Sequence, residues 1–271
     1  MTDKSNVRPH AVVTGASSGI GQAFAQRLSR DGFDLTIVAR RRDRLEALAK
    51  RLQDADHVQV EVVVADLTKA ADLRALEKRV SEYDLLELLV NNAGFGGYMP
   101  FVQLDADQAE ELIDLQVLAV TRLTRAALPG MINRKKGAII NVSSRLAFSG
   151  AAKAEWLPKR ATYAAAKAYM NTFTQILNAE LNGTGVQVQA LCPGVVLTEF
   201  HVRMGMDPSR FPPEIITPAA DVVQASLAGL RLGEAICVPN LRDTTLLMAV
   251  NEAQDRLLEA SPTGAVASRY K

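Results

Sequence analysis

The polarity pattern along the chain switches period again and again. Short, nearly continuous aliphatic runs alternate with longer stretches in which apolar residues return every three or four positions; the first read as strands and the second as amphipathic helices. The strand runs are "HAVVT" (10–14), "DLTIVA" (34–39), "VQVEVVVA" (58–65), "LLELLV" (85–90), "GAIINVS" (137–143), "VQVQALC" (186–192) and the short "AICVP" (235–239). Helices are predicted over 21–32, 43–53 and 71–83, from about 107 to 131 with Pro129 near its end, from about 162 to 181 and from about 218 to 231, with a last helical segment closing the chain. Helices of this length between strands demand crossover connections and therefore a parallel sheet. The unbroken valine, isoleucine and leucine of the strands fits burial on both faces. The prediction is a single α/β domain over 1–271, with a doubly wound parallel sheet of about seven strands, helices on both faces, and no repeat or linker.

The segment "EFHVRMGMDPSRFPPEIITP" (199–218) breaks this rhythm. It is rich in proline and methionine and follows a strand end. In a doubly wound sheet the ligand sits beyond the carboxyl ends of the strands, so a long irregular segment there reads as a lid.

"TGASSGIG" joins the first strand to the first helix. Gly15, Gly19 and Gly21 permit a tight turn and a close approach of backbone to a pyrophosphate. Ser17, Ser18 and Ile20 complete the turn, and the helix amides behind it face the anion. The spacing is GxxxGxG, weak by itself, but it stands where a dinucleotide turn of a Rossmann fold must stand. The end of the second strand selects the cofactor. An acidic residue there would take the adenosine ribose hydroxyls; this chain has Arg40 and Arg41 in "VARRRDR" instead, and a guanidinium pairs with a 2′-phosphate. NADP(H) is expected rather than NAD(H). Asp66 and Leu67, at the end of the third strand, are placed to meet the adenine.

Composition narrows the partners. The 271 residues are 48% hydrophobic and 23% charged, ordinary for a globular chain with a sizeable core. A net charge of +1 argues against nucleic acid or an anionic membrane as the main partner. No apolar run approaches the roughly 20 residues of a membrane span, and the N-terminus lacks the apolar stretch of a secretory signal. Cys192 and Cys237 lie in strand-like runs and read as buried free thiols of a reducing compartment, which makes the cytoplasm the default.

"TYAAAKAY" (162–169) places Tyr163 and Lys167 four residues apart, on one helix face. Together, "TGASSGIG", "NNAG" (91–94), "INVSS" (140–144), "YAAAK" (163–167) and "CPGVVLT" (192–198) resemble the short-chain dehydrogenase/reductase family over about residues 10–240, and within it the NADPH-preferring carbonyl reductases. The resemblance implies hydride transfer between nicotinamide and a small-molecule carbonyl or alcohol. It implies Ser144, Tyr163 and Lys167 as catalytic residues, with Tyr163 and Lys167 also at the cofactor. Asn92, Ala93 and Gly94 would support the sheet beside the adenosine ribose, and Pro193, Gly194, Val196 and Thr198 would hold the nicotinamide half. A homodimer or homotetramer through the two long helices is also implied. The residue types suit the chemistry: a nearby cation favours a phenolate, and a serine hydroxyl can stabilise charge on the substrate oxygen.

Two departures stand out. Where the family has an asparagine in the long middle helix, thought to hold a kink and a proton relay to the lysine, this chain has Gln116 in "LQVLAVTRLT", which carries the same amide on one more methylene and is kept as a fourth candidate catalytic residue. Ser144 and Tyr163 are also 163 − 144 = 19 residues apart, longer than is usual, with "GAAKAEWLPKRA" (150–161) between them. Trp156 in that loop either contacts substrate or anchors a surface excursion. The lengthening leaves Ser143 as an alternative to Ser144, which is preferred. Phe95 and Met99 are candidate cleft residues, and His201 in the lid a candidate substrate contact. His10, His57 and His201 are not spaced for a metal, and none is expected. Ser144 has no G-x-S-x-G elbow, which argues against a serine hydrolase. The alternative is an NADPH-binding sensor or partner protein with weak or no catalysis, because of Gln116.

Overall fold

In a computed structural model the seven strands form one sheet in which every neighbouring pair is parallel, in the order β3-β2-β1-β4-β5-β6-β7. The structure describes residues 8–200, 207, 211–260, 264 and 266–271. The strands are β1 (His10–Thr14), β2 (Asp34–Ala39), β3 (Val60–Val64), β4 (Leu86–Asn91), β5 (Gly137–Val142), β6 (Val186–Leu191) and β7 (Ile236–Cys237). The helices are α1 (Gly19–Arg30), α2 (Arg42–Asp56), α3 (Ala70–Glu82), α4 (Ala106–Ile113), α5 (Ala119–Arg134), α6 (Ala161–Glu180), α7 (Ala219–Arg231) and α8 (Thr245–Glu259). Strand order reverses between β1 and β4, and a crevice opens there at the carboxyl ends.

Alternation along the strands explains the unbroken apolar runs. Ala11 and Val13 face one core layer with Phe24, Leu28, Leu45 and Val222, whereas Val12 faces the other with Leu76, Leu123 and Met131. Each such side chain taken fully from water stabilises the fold by about 1.5–3 kcal/mol. Helices α1, α2 and α7 thus cover one face, and α3, α5 and α6 the other.

The helix expected over about 107–131 is three pieces. Between α4 and α5 lies a π-helical segment, Asp114–Leu118. The Asp105 carboxylate caps α4, accepting from the amides of Asp107 and Gln108, as Asp does at a helix start. Both cysteines are buried and free. Of the expected lid, residues 201–206 and 208–210, including His201, lie outside the described residues. The described part returns to the sheet rim through a parallel bridge between Val195 and Ile216 and a bond from Thr217 N to Val195 O (2.9 Å).

The chain divides into two compact units, Met1–Pro239 and Asn240–Lys271. The second holds α8, which starts beside Asp243, whose carboxylate accepts from Thr245 N (3.0 Å). No residue of α8 is buried. Among the described residues, no helix is long and apolar enough to cross a membrane.

Candidate active site

The end of β1 and the end of β4 are tied together at the crevice. The Thr14 hydroxyl accepts from the amides of Asn92 (3.0 Å) and Ala93 (3.1 Å), and the Asn92 carboxamide donates to the carbonyls of Thr14 (2.9 Å) and Gly15 (3.2 Å). Gly15 sits at φ +67°, and a Cβ there would come within 2.7 Å of Asn92 Nδ2 and 2.9 Å of the Ala93 backbone. Gly19 sits at φ +58°, and a Cβ there would meet Thr198 at 2.8 Å. Both positions need glycine for conformation and for space. Ser18, the residue before α1, makes no side-chain cap bond, so the first amides of the helix remain for an anion. Ser17, Ser18, Ile20, Ala39, Asp66, Leu67 and Gly94 line the same cleft, about 980 Å³ in volume, which reaches to Tyr163. This cradle fits a dinucleotide.

The two arginines after β2 behave differently. Arg41 folds back over the glycine turn: Nη2 donates to Ser17 Oγ (2.8 Å) and Ser18 Oγ (2.9 Å), Nε to Ser17 Oγ (3.2 Å), and Nη1 to Glu199 Oε2 (2.5 Å). Arg44 also bonds Glu199, and these two guanidiniums hold its carboxyl down at about 2. Arg40 is largely exposed, with Nη1 3.6 Å from Asp66 Oδ2. Burial pushes the Asp66 carboxyl up, but hydrogen bonds from Thr68 and the charge of Arg40 outweigh it and leave it below its ordinary value.

Ser144, Tyr163 and Lys167 meet deeper in the cleft, all buried. Ser144 lies just beyond β5, its hydroxyl accepting from Leu146 N (3.1 Å). Ser143 is turned away: its hydroxyl donates to the Lys167 carbonyl (3.1 Å) and fastens α6. Tyr163 and Lys167 share a face of α6, with the Lys167 ammonium nitrogen 5.6 Å from the Tyr163 ring centre. That nitrogen donates to Val142 O (2.7 Å). Burial is the largest influence on both groups. It raises the Tyr163 phenol, against hydrogen bonds from Ser144 and Tyr98 and with the Cys192 thiol adding to it. It lowers the Lys167 amine to about 7, with Cys192 acting upward. Each group is therefore pushed towards its neutral form.

Gln116 sits within the π-helical segment, fully buried. Its Nε2 donates to Phe95 O (2.9 Å), and its Oε1 has no hydrogen-bond partner. The helix distortion expected with asparagine is thus present with glutamine, and one N–H of the longer side chain is taken by Phe95 O. A π-bulge of this kind often marks a functional site.

The long loop after Ser144 has a closed base. Arg160 donates to the hydroxyl (2.7 Å) and carbonyl (2.8 Å) of Ser149 and to Pro158 O (2.7 Å). Trp156 is no buried anchor: its exposure is 68%, and it lines the cleft with the Arg145 guanidinium 5.5 Å from its ring centre. On the far wall, Pro193, Gly194, Val196 and Thr198 line the cleft, with Val196 buried.

Three participants were not picked out from the sequence. Tyr98 packs edge-on against Tyr163 (5.1 Å between ring centres), and Phe200 touches both rings at 6.2 and 5.9 Å. The only sequence signal for Tyr98 was its place just after "NNAG", between Phe95 and Met99, which also line the cleft. Glu199 meets Arg41 and Arg44 across more than 150 residues of chain, so no local pattern announces it. Behind the site, Asn91 donates to Thr124 (3.2 Å) and Asn141 (2.9 Å), and Asn141 donates to Thr174 (3.0 Å), a buried polar chain that stiffens β4, β5 and the helices over them.

Comparison with known proteins agrees with this geometry. The short chain dehydrogenase family profile matches residues 9–208. An uncharacterized oxidoreductase of Myxococcus xanthus (strain DK1622) is 36% identical over 226 residues, covering 83% of this chain and 85% of that protein. A short-chain dehydrogenase from Sphingobium yanoikuyae, solved in complex with NADPH, superposes with a TM-score of 0.90 at 38% identity, over 97% of this chain and 100% of that one. The bulky-bulky ketone specific alcohol dehydrogenase from Comamonas testosteroni gives a TM-score of 0.86 at 32% identity, over 98% and 99% of the two chains. Several other curated relatives are longer, so that this chain spans 56% of their length, and some of them are named inactive. The chain belongs to the short-chain dehydrogenase/reductase family of oxidoreductases.

Proposed function

We propose that the protein is an NADP(H)-dependent oxidoreductase that interconverts a carbonyl compound and its secondary alcohol, with Tyr163 as general acid and base. The observation that carries this reading is the convergence of Ser144, Tyr163 and Lys167 in the cleft that begins at the glycine turn. The cofactor, when bound, supplies or accepts the hydride. Gly15, Ser17, Ser18, Gly19, Ile20 and Gly21 would take its pyrophosphate side, Arg41 the 2′-phosphate, and Asp66 and Leu67 the adenine. Asn92, Ala93 and Gly94 would pass beside the ribose, and Pro193, Gly194, Val196 and Thr198 would hold the nicotinamide half. In reduction the Ser144 hydroxyl donates to the substrate oxygen, and the Tyr163 hydroxyl transfers its proton there as negative charge develops. The Lys167 amine, at about 7, exchanges protons near neutrality and stabilises the phenolate left behind. The mainly apolar wall of the cleft suits a fairly apolar ketone or aldehyde; the NADPH and bulky-ketone proteins among the similar structures support the same choice. A panel of carbonyls and alcohols run with both cofactors tests the reading, with NADPH-dependent ketone reduction as the expected result.

Lys167 also carries a stability signature. Its amine falls from 10.5 to about 7 on folding, so between these values the unfolded chain binds more protons than the folded one. Wild-type stability therefore rises with pH across that window. Lys167→Met lacks this rise. Its melting temperature relative to wild type is expected to be highest at and below pH 7 and to decline towards 10.5. Thermal denaturation in matched buffers measures this, and a difference constant with pH would contradict the burial of the amine.

A second reading, an NADPH sensor with little catalysis, is favoured by two contacts that turn relay groups to the backbone: Gln116 Nε2 donates to Phe95 O, and Lys167 Nζ to Val142 O. Absence of turnover across the panel with NADPH binding retained would select it. We read the protein further as a single-domain cytoplasmic homo-oligomer. The free buried thiols support the compartment. Exposed Ile132 on α5 and Ile176 on α6 support self-association, which light scattering would measure.

A further inference from the structure

The cleft carries charges whose roles divide by position. Arg40, Arg41, Asp66 and Glu199 gather at the glycine turn, Lys167 is buried behind Tyr163, and Glu111 stands on α4. Arg145 is different. It directly follows Ser144, and its amide donates to Pro193 O (3.1 Å), which fixes its backbone against the wall opposite. Its side chain lies across Gly194, where an added Cβ would touch the guanidinium carbon at 3.8 Å, and that carbon lies over the Trp156 ring, 5.5 Å from its centre. The guanidinium thus lies near both Gly194 and the Trp156 indole, and Arg145 is exposed. Among the described residues it has no carboxylate within ion-pair distance, Glu111 and Glu155 included. The same cleft is also lined by the apolar Met99, Leu146, Phe211 and Ile215.

We propose that Arg145, seated on Trp156, is an anion subsite, and that the substrate is a carbonyl compound with an apolar body and a single carboxylate. The proposal rests on the oxidoreductase reading above and names its substrate class. A planar guanidinium with a free edge matches a carboxylate through two parallel hydrogen bonds, and its delocalised charge tolerates stacking on an indole. A cation that is unpaired among the described residues, in a cleft whose lining is mostly apolar, suits one negative charge on a largely apolar substrate. The same carboxylate would fix which end of the substrate points outward, and so which carbon faces Ser144 and Tyr163.

The test compares octanoates bearing a ketone at successive carbons with their methyl esters, in wild type, Arg145→Met and Arg145→Lys, using NADPH. In Arg145→Met the ratio of kcat/KM for acid over ester is expected to fall by about tenfold or more, the loss of one charge-assisted pair, and Arg145→Lys should keep part of it. NADPH titration of each variant checks that the fold is intact. Trp156 is the single tryptophan of the chain, so its fluorescence reports the subsite without turnover. Octanoate should quench it saturably in wild type and not in Arg145→Met, with octanamide giving little change in either. An acid-to-ester ratio unaltered by Arg145→Met, or equal responses to octanoate and octanamide, would overturn the subsite while leaving the reductase reading in place. If no ketone is turned over, the reductase reading fails and the fluorescence titration decides the subsite alone.

Discussion

Tyr163→Phe is expected to lower kcat for carbonyl reduction by roughly 10²–10⁴-fold while NADPH binding stays within about threefold of wild type. The substitution removes one oxygen. Its ring packing with Tyr98 and Phe200, at 5.1 and 5.9 Å between centres, is retained, so the fold has little reason to change. What is lost is the hydroxyl to which the proposed mechanism gives the proton transfer beside Ser144. The Tyr98 hydroxyl neighbours Tyr163 but, among the described residues, no lysine lies over its ring, and burial raises its pKa strongly. It is therefore a poor replacement acid. Steady-state kinetics with a fluorescence titration of NADPH separates the two effects, and turnover within tenfold of wild type would refute the role given to Tyr163.

Arg41→Ala is expected to weaken NADPH binding by about 10–100-fold, the worth of one to two hydrogen bonds to a charged group, and NADH by less than about threefold. The reason lies in how the side chain is held. Three of its contacts fix the guanidinium on Ser17 and Ser18, inside the cradle. A fork already held in place loses little entropy when a phosphate arrives. Glu199 is no obstacle to this exchange, because Arg44 also grips it. Arg40→Ala should do much less to either cofactor: its side chain is 59% exposed, and its pairing with Asp66 at 3.6 Å is a surface contact of about 0–1 kcal/mol at most. Calorimetric titration of the two variants with both cofactors checks the ranking. Equal losses of NADPH and NADH in Arg41→Ala would remove the 2′-phosphate from its account.

The pair of arginines shows where sequence reasoning reaches its limit. "VARRRDR" announces a basic strand end and hence a phosphate partner, but adjacent residues diverge, and only the backbone path decides that Arg41 turns inward while Arg40 meets Asp66 and solvent. Gln116 is a similar case. The sequence marks it as a departure, whereas the π-helical segment that buries it, and the Phe95 carbonyl that takes its donor, follow from packing. For the long loop, the sequence left Trp156 undecided between contact and anchor. The structure leaves it exposed beside Arg145, in a loop whose base Arg160 ties to Ser149.

The sequence alone determined the alternation of strand and helix, the parallel sheet, the glycine turn and the Tyr163–Lys167 spacing. These are local properties: apolar period, backbone freedom at glycine, and residues four apart on one helix face. Tertiary structure alone decided what meets across long separations. It brought Tyr98 and Phe200 against Tyr163, Glu199 onto Arg41 and Arg44, and Arg145 near Gly194 and Trp156. Such contacts depend on loop paths at the carboxyl edge of the sheet. Loops carry no periodic signal, because their side chains answer to distant neighbours rather than to a repeating backbone.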